Sequence, residues 1–393
     1  MPIPLLRRAA NTCLVLMAVS MPLSTSGMQI AAGALPGLAV LAWWWGMPLL
    51  RRTPLDGVLG LAAVVFAVST LASGHPLQAG GWARLWVVIG YFGVYWWLED
   101  EHAVLRFVRW LLIAAAVSAL YGVVQHYTGI DWYRELLGRR HFVRPRIAGA
   151  QGFAAIGFFR NYLTYAHVML IPLGFALVSP QRWTRLIVVP LIALALLLST
   201  ARGAWVGAAA MGAVLVVARR GGAARLAGLV AIVVLLGLLS PGFREQIVPA
   251  LTQAETNTGR LAIYAANLDI VQDHPILGLG FGRYQRVARP YYDRHPDADR
   301  RSHAHNNFLQ IAAEAGLVGL AAFVLVFATA LRFGGEVVRG GHSEAARLTA
   351  LGACLAIVGF LVGGLTQYSF GDTEVATGLW ATLALLMRLR DAV

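Results

Sequence analysis

An all-helical (all-α), polytopic integral membrane protein is the fold class this sequence predicts, and three observations predict it. Apolar residues make up 58% of the 393-residue chain and charged residues only 13%, with a mean hydropathy of +0.64. The apolar residues gather into runs near the roughly 20 residues that cross a bilayer as a helix. Those runs are continuous rather than alternating, which excludes a transmembrane barrel and leaves helices as the way to satisfy the backbone in lipid.

Taken in order, the apolar windows predict about 12 spans: 9–26, 29–48, 55–73, 82–98, 104–126, 154–178, 184–200, 203–219, 224–240, 305–331, 347–367 and 374–389. The first, behind Arg7 and Arg8, reads as an uncleaved span because no small-residue cleavage site follows it. Arg51, Arg52, Arg106, Arg109, Arg182, Arg185, Arg219, Arg220 and Arg225 fall on one side with Arg7 and Arg8, and Arg332, Arg339, Arg347, Arg388 and Arg390 continue the pattern. By the positive-inside rule that side is cytoplasmic and holds both termini. Trp43 to Trp45 and the pair Trp96 and Trp97 fit interfacial aromatic belts. The whole chain, 1–393, reads as one membrane domain with two outer loops, a shorter one at 128–152 and the main one at 240–304, between the ninth and tenth spans. Both loops are rich in arginine: Arg134, Arg139, Arg140, Arg144 and Arg146 in the first, and eight between Gly242 and Arg301.

The charge excludes as much as it suggests. All 32 basic residues are arginine, so lysine-base and Schiff-base chemistry are excluded. Many flank apolar runs, and no basic face on a soluble domain calls for nucleic acid. Cys13 and Cys354 lie inside apolar runs without partners at metal-ligand spacing and read as ordinary buried thiols.

Four segments carry chemistry. Ser199-Thr200-Ala201-Arg202-Gly203 pins one arginine between two spans; it is either a snorkelling end residue or a functional cation. Arg160, Thr164 and His167, at i, i+4 and i+7, would share one helix face, as a polar seam or as part of a site. In the main loop, Gly259-Arg260 precedes an amphipathic helix in which Leu261, Tyr264, Leu268 and Val271 can share one surface and lie along the membrane. Pro275 ends that helix, and Gly278, Gly280 and Gly282 make a tight turn rather than a phosphate loop. Arg283, Arg286, Arg289 and Arg294 are partly balanced by Asp293, Asp297 and Asp299, which suits a solvated loop. Last, His303-Ala304-His305-Asn306 runs into the tenth span. The positive end of a helix disfavours a second positive charge, which suits a neutral His305 acting as base. His303 orients the loop. Glu314, nine residues on, faces away from His305 and packs inside the bundle, while Gly316 and Gly319 allow close helix approach.

Together these blocks resemble the O-antigen ligase and polymerase superfamily, the Wzy_C family, over about residues 150 to 375. The carrying pieces are Thr200-Ala201-Arg202-Gly203-Ala204-Trp205, Gly259-Arg260, His274-Pro275-x-x-Gly278-x-Gly280, and His305-Asn306-x-x-Leu309-Gln310 with Glu314, Gly316 and Gly319. The resemblance implies a GT-C-like glycosyltransferase in the inner membrane of a Gram-negative bacterium, with its active site on the periplasmic side. It implies inverting transfer with no metal or other cofactor, from an undecaprenyl-pyrophosphate-linked glycan to an acceptor, among membrane lipids. Carried over, His305 would deprotonate the acceptor hydroxyl, and Arg202 and Arg260 would bind the donor pyrophosphate. Arg160 is a further donor candidate, although Arg160-Asn161-Tyr162 departs from the family pattern there. His303, Asn306, Arg283 and Arg286 are secondary candidates. The modest loop and a tail ending just after a span favour a ligase acting on lipid A-core; an O-antigen polymerase, a protein O-oligosaccharyltransferase and, from another class, a secondary transporter are the alternatives.

Overall fold

A computed structural model describes residues 2–74, 82–138, 152–218, 255–298 and 303–391. The described residues are all-helical, with no strand among them. The helices are α1 (Pro2–Ser20), α2 (Thr25–Trp44), α3 (Asp56–Ala72), α4 (Trp82–Trp97), α5 (Glu101–Thr128), α6 (Trp132–Leu136), α7 (Tyr162–Val178), α8 (Val189–Ser199), α9 (Arg202–Ala218), α10 (Glu255–Asp273), the short α11 (Tyr284–Val287) and α12 (Arg289–Tyr292), α13 (Asn307–Arg339), α14 (Glu344–Gly363) and α15 (Thr373–Arg390). Among these residues five helices are long and apolar enough to cross a bilayer: Ile3–Ser20, α2, α5, α13 and α14. Shorter apolar helices accompany them at α3, α7, Thr184–Ser199 and α9. The expected span 224–240 lies outside the described residues, as do Arg139, Arg140, Arg144, Arg146, Arg219, Arg220, Arg225, Asp299, Arg301 and Ser302.

Capping chemistry explains most of the helix starts. Ser24, Asp100, Asn161, Asn306 and Ser343 each accept a hydrogen bond from a backbone N–H of the first turn that follows, satisfying donors that a helix leaves orphaned. At the centre stands α15, buried continuously from Val375 to Leu389. Beside it α14 packs between α7 and α9, where a side chain on Gly207 would run into the Gly359 carbonyl. Small residues let two backbones approach so closely.

At the far end of α13 from its Asn306 cap, arginines collect with acids and carbonyls. Arg51 donates to the Leu98 carbonyl and Arg388 to that of Glu99. Arg7 pairs with Glu99 at 3.1 Å and Arg390 with Glu336 at 3.6 Å. Arginines expected on one side of the membrane therefore share one end of the bundle.

Four sequence expectations need correction. The span expected from 154 begins at Tyr162, because Asn161 caps it; residues 154–157 are buried but irregular. Their backbone is satisfied by Gln125, whose Nε2 donates to the Gly157 carbonyl at 3.0 Å, and by the Leu198 carbonyl, which accepts from Ala155 N at 3.0 Å. Non-helical backbone at membrane depth survives only with such protein partners. Trp97 is no belt residue: it is 2% exposed and donates to the Leu35 carbonyl, whereas Trp43, Trp44 and Trp45 are exposed. In α10 the core face is Ile263, Ala266, Asn267 and Ile270, while Leu261 and Leu268 are 66% and 50% exposed. The tenth span continues to Arg339 and is broken at Gly316, where φ is 68° and ψ −173°.

Candidate functional site

The break at Gly316 organises the end of the bundle that carries His305. An interrupted helix frees backbone groups that must find partners elsewhere, and residues 274–279 supply them. Leu317 N donates to the Pro275 carbonyl at 2.7 Å, and Leu279 N donates to the Ala313 carbonyl at 2.9 Å. Ser69 Oγ of α3 closes the joint, donating towards the carbonyls of Leu277 and Glu314. A methyl group at Gly316 would collide with the Ile276 carbonyl. The left-handed glycines Gly278, Gly280 and Gly282 (φ 65°, 99° and 81°) turn this loop through that space. Arg283, expected to be solvated, instead donates from Nη1 to the Ser73 carbonyl at 2.7 Å just past the end of α3. Arg286 is exposed.

Glu314 is fully buried and accepts from Gln310 Nε2 at 3.0 Å. The other end of that amide, Gln310 Oε1, accepts from Ala304 N at 2.7 Å. Glu314 therefore reaches the histidine loop through Gln310.

The histidine loop is fixed at both of its edges. His303 Nδ1 accepts from His305 N at 3.2 Å, and the two rings meet edge to face at 4.2 Å. His305 itself adopts φ 50°, a left-handed conformation that costs a residue with a Cβ about 1–3 kcal/mol. Asn306 caps α13 by accepting from Phe308 N and Leu309 N. Its Nδ2 donates to the Leu365 carbonyl at 2.9 Å. Asn307, fully buried, donates from its backbone to the Gly364 carbonyl at 2.7 Å and accepts from Phe370 N at 2.9 Å. The loop between α14 and α15 thus lies laced to the start of α13. From that loop Gln367 Oε1 meets His305 Nδ1 at 3.1 Å.

Tyr264 of α10 closes the other side, its hydroxyl donating to the carbonyls of His305 (3.4 Å) and Leu365 (3.1 Å). Burial raises its phenol above the ordinary range, and the Arg260 charge one helical turn away opposes that rise. Arg260 also acts on Arg202 through space, so α9 and α10 bring these two guanidinium groups near each other. Arg202 is the first residue of α9, directly after the sharp turn at Thr200 (φ 63°). A cation opposes the helix dipole there, so helix stability does not account for it. Two fixed positive charges beside a helix N-terminus form a local field suited to an anion.

The structure therefore brings together His303, His305, Asn306, Arg260 and Arg202. It leaves Arg160 on an exposed bend ahead of α7, off the helix face it was expected to share with Thr164 and His167. His167 is buried, with Nδ1 bonded to the Leu163 carbonyl at 2.8 Å and the ring packed against Gly203 and Gly363, which makes it part of the α7–α9–α14 packing. Thr164 donates to Asp372 at 2.9 Å, just ahead of α15. Gln310, Gln367, Tyr264 and Asp372 were not singled out in the sequence as site residues. Among them only the Gln310–Glu314 spacing of i, i+4 signals a contact.

Below the loop lies an apolar cavity of about 220 Å³ between α3, α4, α13 and α15. Phe66, Phe92, Phe281, Phe323, Phe370 and Trp380 line it. Phe281 belongs to the glycine loop and Phe370 follows Gln367 by three residues, so both loops contribute a ring to its wall.

Residues 186–324 match a family model, Wzy_C, described as O-antigen ligase. The matched stretch contains Arg202, Arg260, the 274–282 loop, His305, Glu314 and Gly316, and it supports assignment to the O-antigen ligase family. No curated protein matches the chain.

Proposed function

We propose that this O-antigen ligase-family membrane protein transfers a glycan from undecaprenyl pyrophosphate to a hydroxyl of the lipid A-core oligosaccharide. In this reading the two outer loops and the His305 end of the bundle face the periplasm, and the arginine-rich end and both termini face the cytoplasm of a Gram-negative inner membrane. His305 takes the proton from the acceptor hydroxyl as its oxygen bonds to the anomeric carbon. The carbon–oxygen bond to the pyrophosphate breaks on the opposite face, inverting the centre, and the electron pair leaves with the lipid diphosphate. Arg202 and Arg260 meet the charge that develops there. Arginine suits that task because its planar fork binds two phosphate oxygens and stays charged at any relevant pH.

The observation that supports this reading is the proximity of Arg202, Arg260 and Tyr264, whose charges and phenol act on one another through space, with the Tyr264 hydroxyl bonded to the His305 carbonyl. That proximity is consistent with a base and an anion site on neighbouring elements, as a group transfer requires. The aromatic-lined cavity offers apolar room for no more than a short stretch of a lipid chain. A broken helix beside a buried acid is also a transporter feature, but here the break is filled by Ile276, Leu277 and Ser69.

The decisive test is reconstitution with an undecaprenyl-pyrophosphate glycan and purified lipid A-core, in the presence of a chelator. Glycan on the lipid A-core is the expected result. Glycan added to a second lipid-linked unit would make the protein a polymerase, transfer to a polypeptide a protein glycosyltransferase, and loss restored by a divalent metal would overturn the metal-free mechanism. Solute flux in inverted vesicles with no transfer would revive the transporter.

A further inference from the structure

We propose that Gln367 is the positioning residue of the site: it holds the Nδ1 proton of His305 and so presents Nε2 as the basic nitrogen. The inference rests on the reading of His305 as the base. An amide oxygen can only accept, so Gln367 Oε1 turned to His305 Nδ1 at 3.1 Å suits the tautomer that carries its proton on Nδ1. The lone pair then lies on Nε2, the nitrogen farther from the backbone. Without such a partner, histidine in water favours the opposite tautomer, so the bond must work against the intrinsic preference.

Gln367 can do this because it is held. It is 5% exposed, and its loop is tied to the helix that follows His305 by bonds from Asn306 Nδ2 to the Leu365 carbonyl, from Asn307 N to the Gly364 carbonyl and from Phe370 N to Asn307 Oδ1. Tyr264 bridges the carbonyls of His305 and Leu365, so both sides of the contact share an anchor. His305 is therefore fixed by its own left-handed backbone, by His303 at its N–H and by Gln367 at its ring. An amide at Nδ1 differs from the carboxylate that holds the same nitrogen in many hydrolases, because the amide itself adds no negative charge there.

The His305 ring meets that of His303, whose other neighbour is Tyr368 on the α14–α15 loop; Tyr264 on α10 reaches the His305 carbonyl, Arg260 and Arg202 lie beyond, and the buried Glu314 joins the same loop through Gln310. All stay constant when position 367 alone is changed. Gln367→Leu keeps the size and removes the acceptor; Gln367→Glu restores it with a charge. The expected results in the reconstituted protein are a 10–100-fold lower kcat with a nearly unchanged donor KM for Gln367→Leu, and substantial recovery for Gln367→Glu. In the glutamate variant the acid limb of the pH profile should lie about one unit or more higher, because a carboxylate favours the imidazolium.

Nitrogen NMR of histidine-labelled protein, with His305 assigned by difference against His305→Gln, reads the tautomer without any substrate. The Nδ1–H form should dominate in the wild type and Gln367→Glu and be lost in Gln367→Leu. An unchanged tautomer and pH profile in Gln367→Leu would overturn the proposal, as would a glutamate variant that behaves like leucine. A tautomer that follows position 367 in a protein that transfers no glycan would uphold the positioning role and sink the function assigned to His305.

Discussion

Among the described residues only Thr200 and His305 combine a side chain with positive φ, at 63° and 50°. Both stand at the same end of the bundle, and both precede the start of an apolar helix by two residues. What each strained position accomplishes is different. Thr200 is the C-cap of α8, with its N–H donating to the Leu197 carbonyl; the turn it makes lets Arg202 begin α9. His305 is not a cap, since Asn306 holds that role for α13. Its own ring is what the conformation delivers, against His303 and onto Gln367. One position spends strain to place a neighbour, the other to place itself.

Glycine tolerates left-handed backbone at no steric cost, so glycine substitution separates the two. His305→Gly should relieve strain yet lower glycan transfer by about 10²–10⁴-fold, with the detergent melting temperature equal to wild type or higher. Transfer within a few-fold of wild type would remove His305 from the chemistry. Arg202→Ala should lose transfer to a similar degree, leaving membrane insertion intact, because Thr200 rather than Arg202 makes the turn. The next largest effect belongs to a third left-handed site. Gly316→Ala combines positive φ with a collision against the Ile276 carbonyl, so it should destabilise by about 3 kcal/mol or more. A normal melt for that variant would show that α13 can close the break.

This contrast also marks how far the sequence could be read. The all-helical class, the loop-to-helix junction at His305 and Asn306 and the glycine turn after Pro275 were legible, because capping, apolar run length and left-handed glycines are local properties. The break at Gly316 was not. Residues 311–331 read as one uninterrupted apolar helix, and what interrupts it is the carbonyl of Ile276, 40 positions away. Gln367 was hidden for the same reason: it is one polar residue in a turn until the lacing of Asn306 and Asn307 brings it to His305. The late start of α7 was hidden because the apolar content of 154–157 suits a span, and only the partners at Gln125 and Leu198 let those residues stay irregular. Arg160 fell off the predicted face with them.

The loop that carries Gln367 ends in Asp372, and pH tests whether its far end is as settled as its contact with His305. Burial pushes the Asp372 carboxyl up to about 6; the Thr164 hydroxyl opposes the rise and Glu374 adds to it. Its value in an unfolded chain is about 3.9. The raised value means that the folded protein favours the neutral acid. The stabilisation is fully present below about pH 4 and is lost as pH rises through about 6. Asp372→Asn should therefore match wild type near pH 4 and exceed it near pH 7 by about 1–3 kcal/mol, measured as the difference in thermal stability between the two proteins. A constant difference across that range would show that the carboxyl is ionised throughout.

The smallest effect is the most discriminating for Thr200. A β-branched residue is poorly suited to left-handed backbone, and a helix ending in that conformation ordinarily carries glycine or asparagine. Thr200→Gly should remove a cost of about 1 kcal/mol from the folded state. Glycine's greater freedom in the unfolded chain returns part of that gain, so the net rise in stability should be a few tenths of a kcal/mol to about 1. Transfer should stay near wild type, because Ala201 N still donates to Ser199 Oγ at the turn and Arg202 still opens α9. If Thr200→Gly instead lost transfer as His305→Gly does, with its melt unchanged, the threonine hydroxyl itself would belong to the anion site beside Arg202. The two strained residues would then be doing the same job, and the distinction between placing a neighbour and placing oneself would fail.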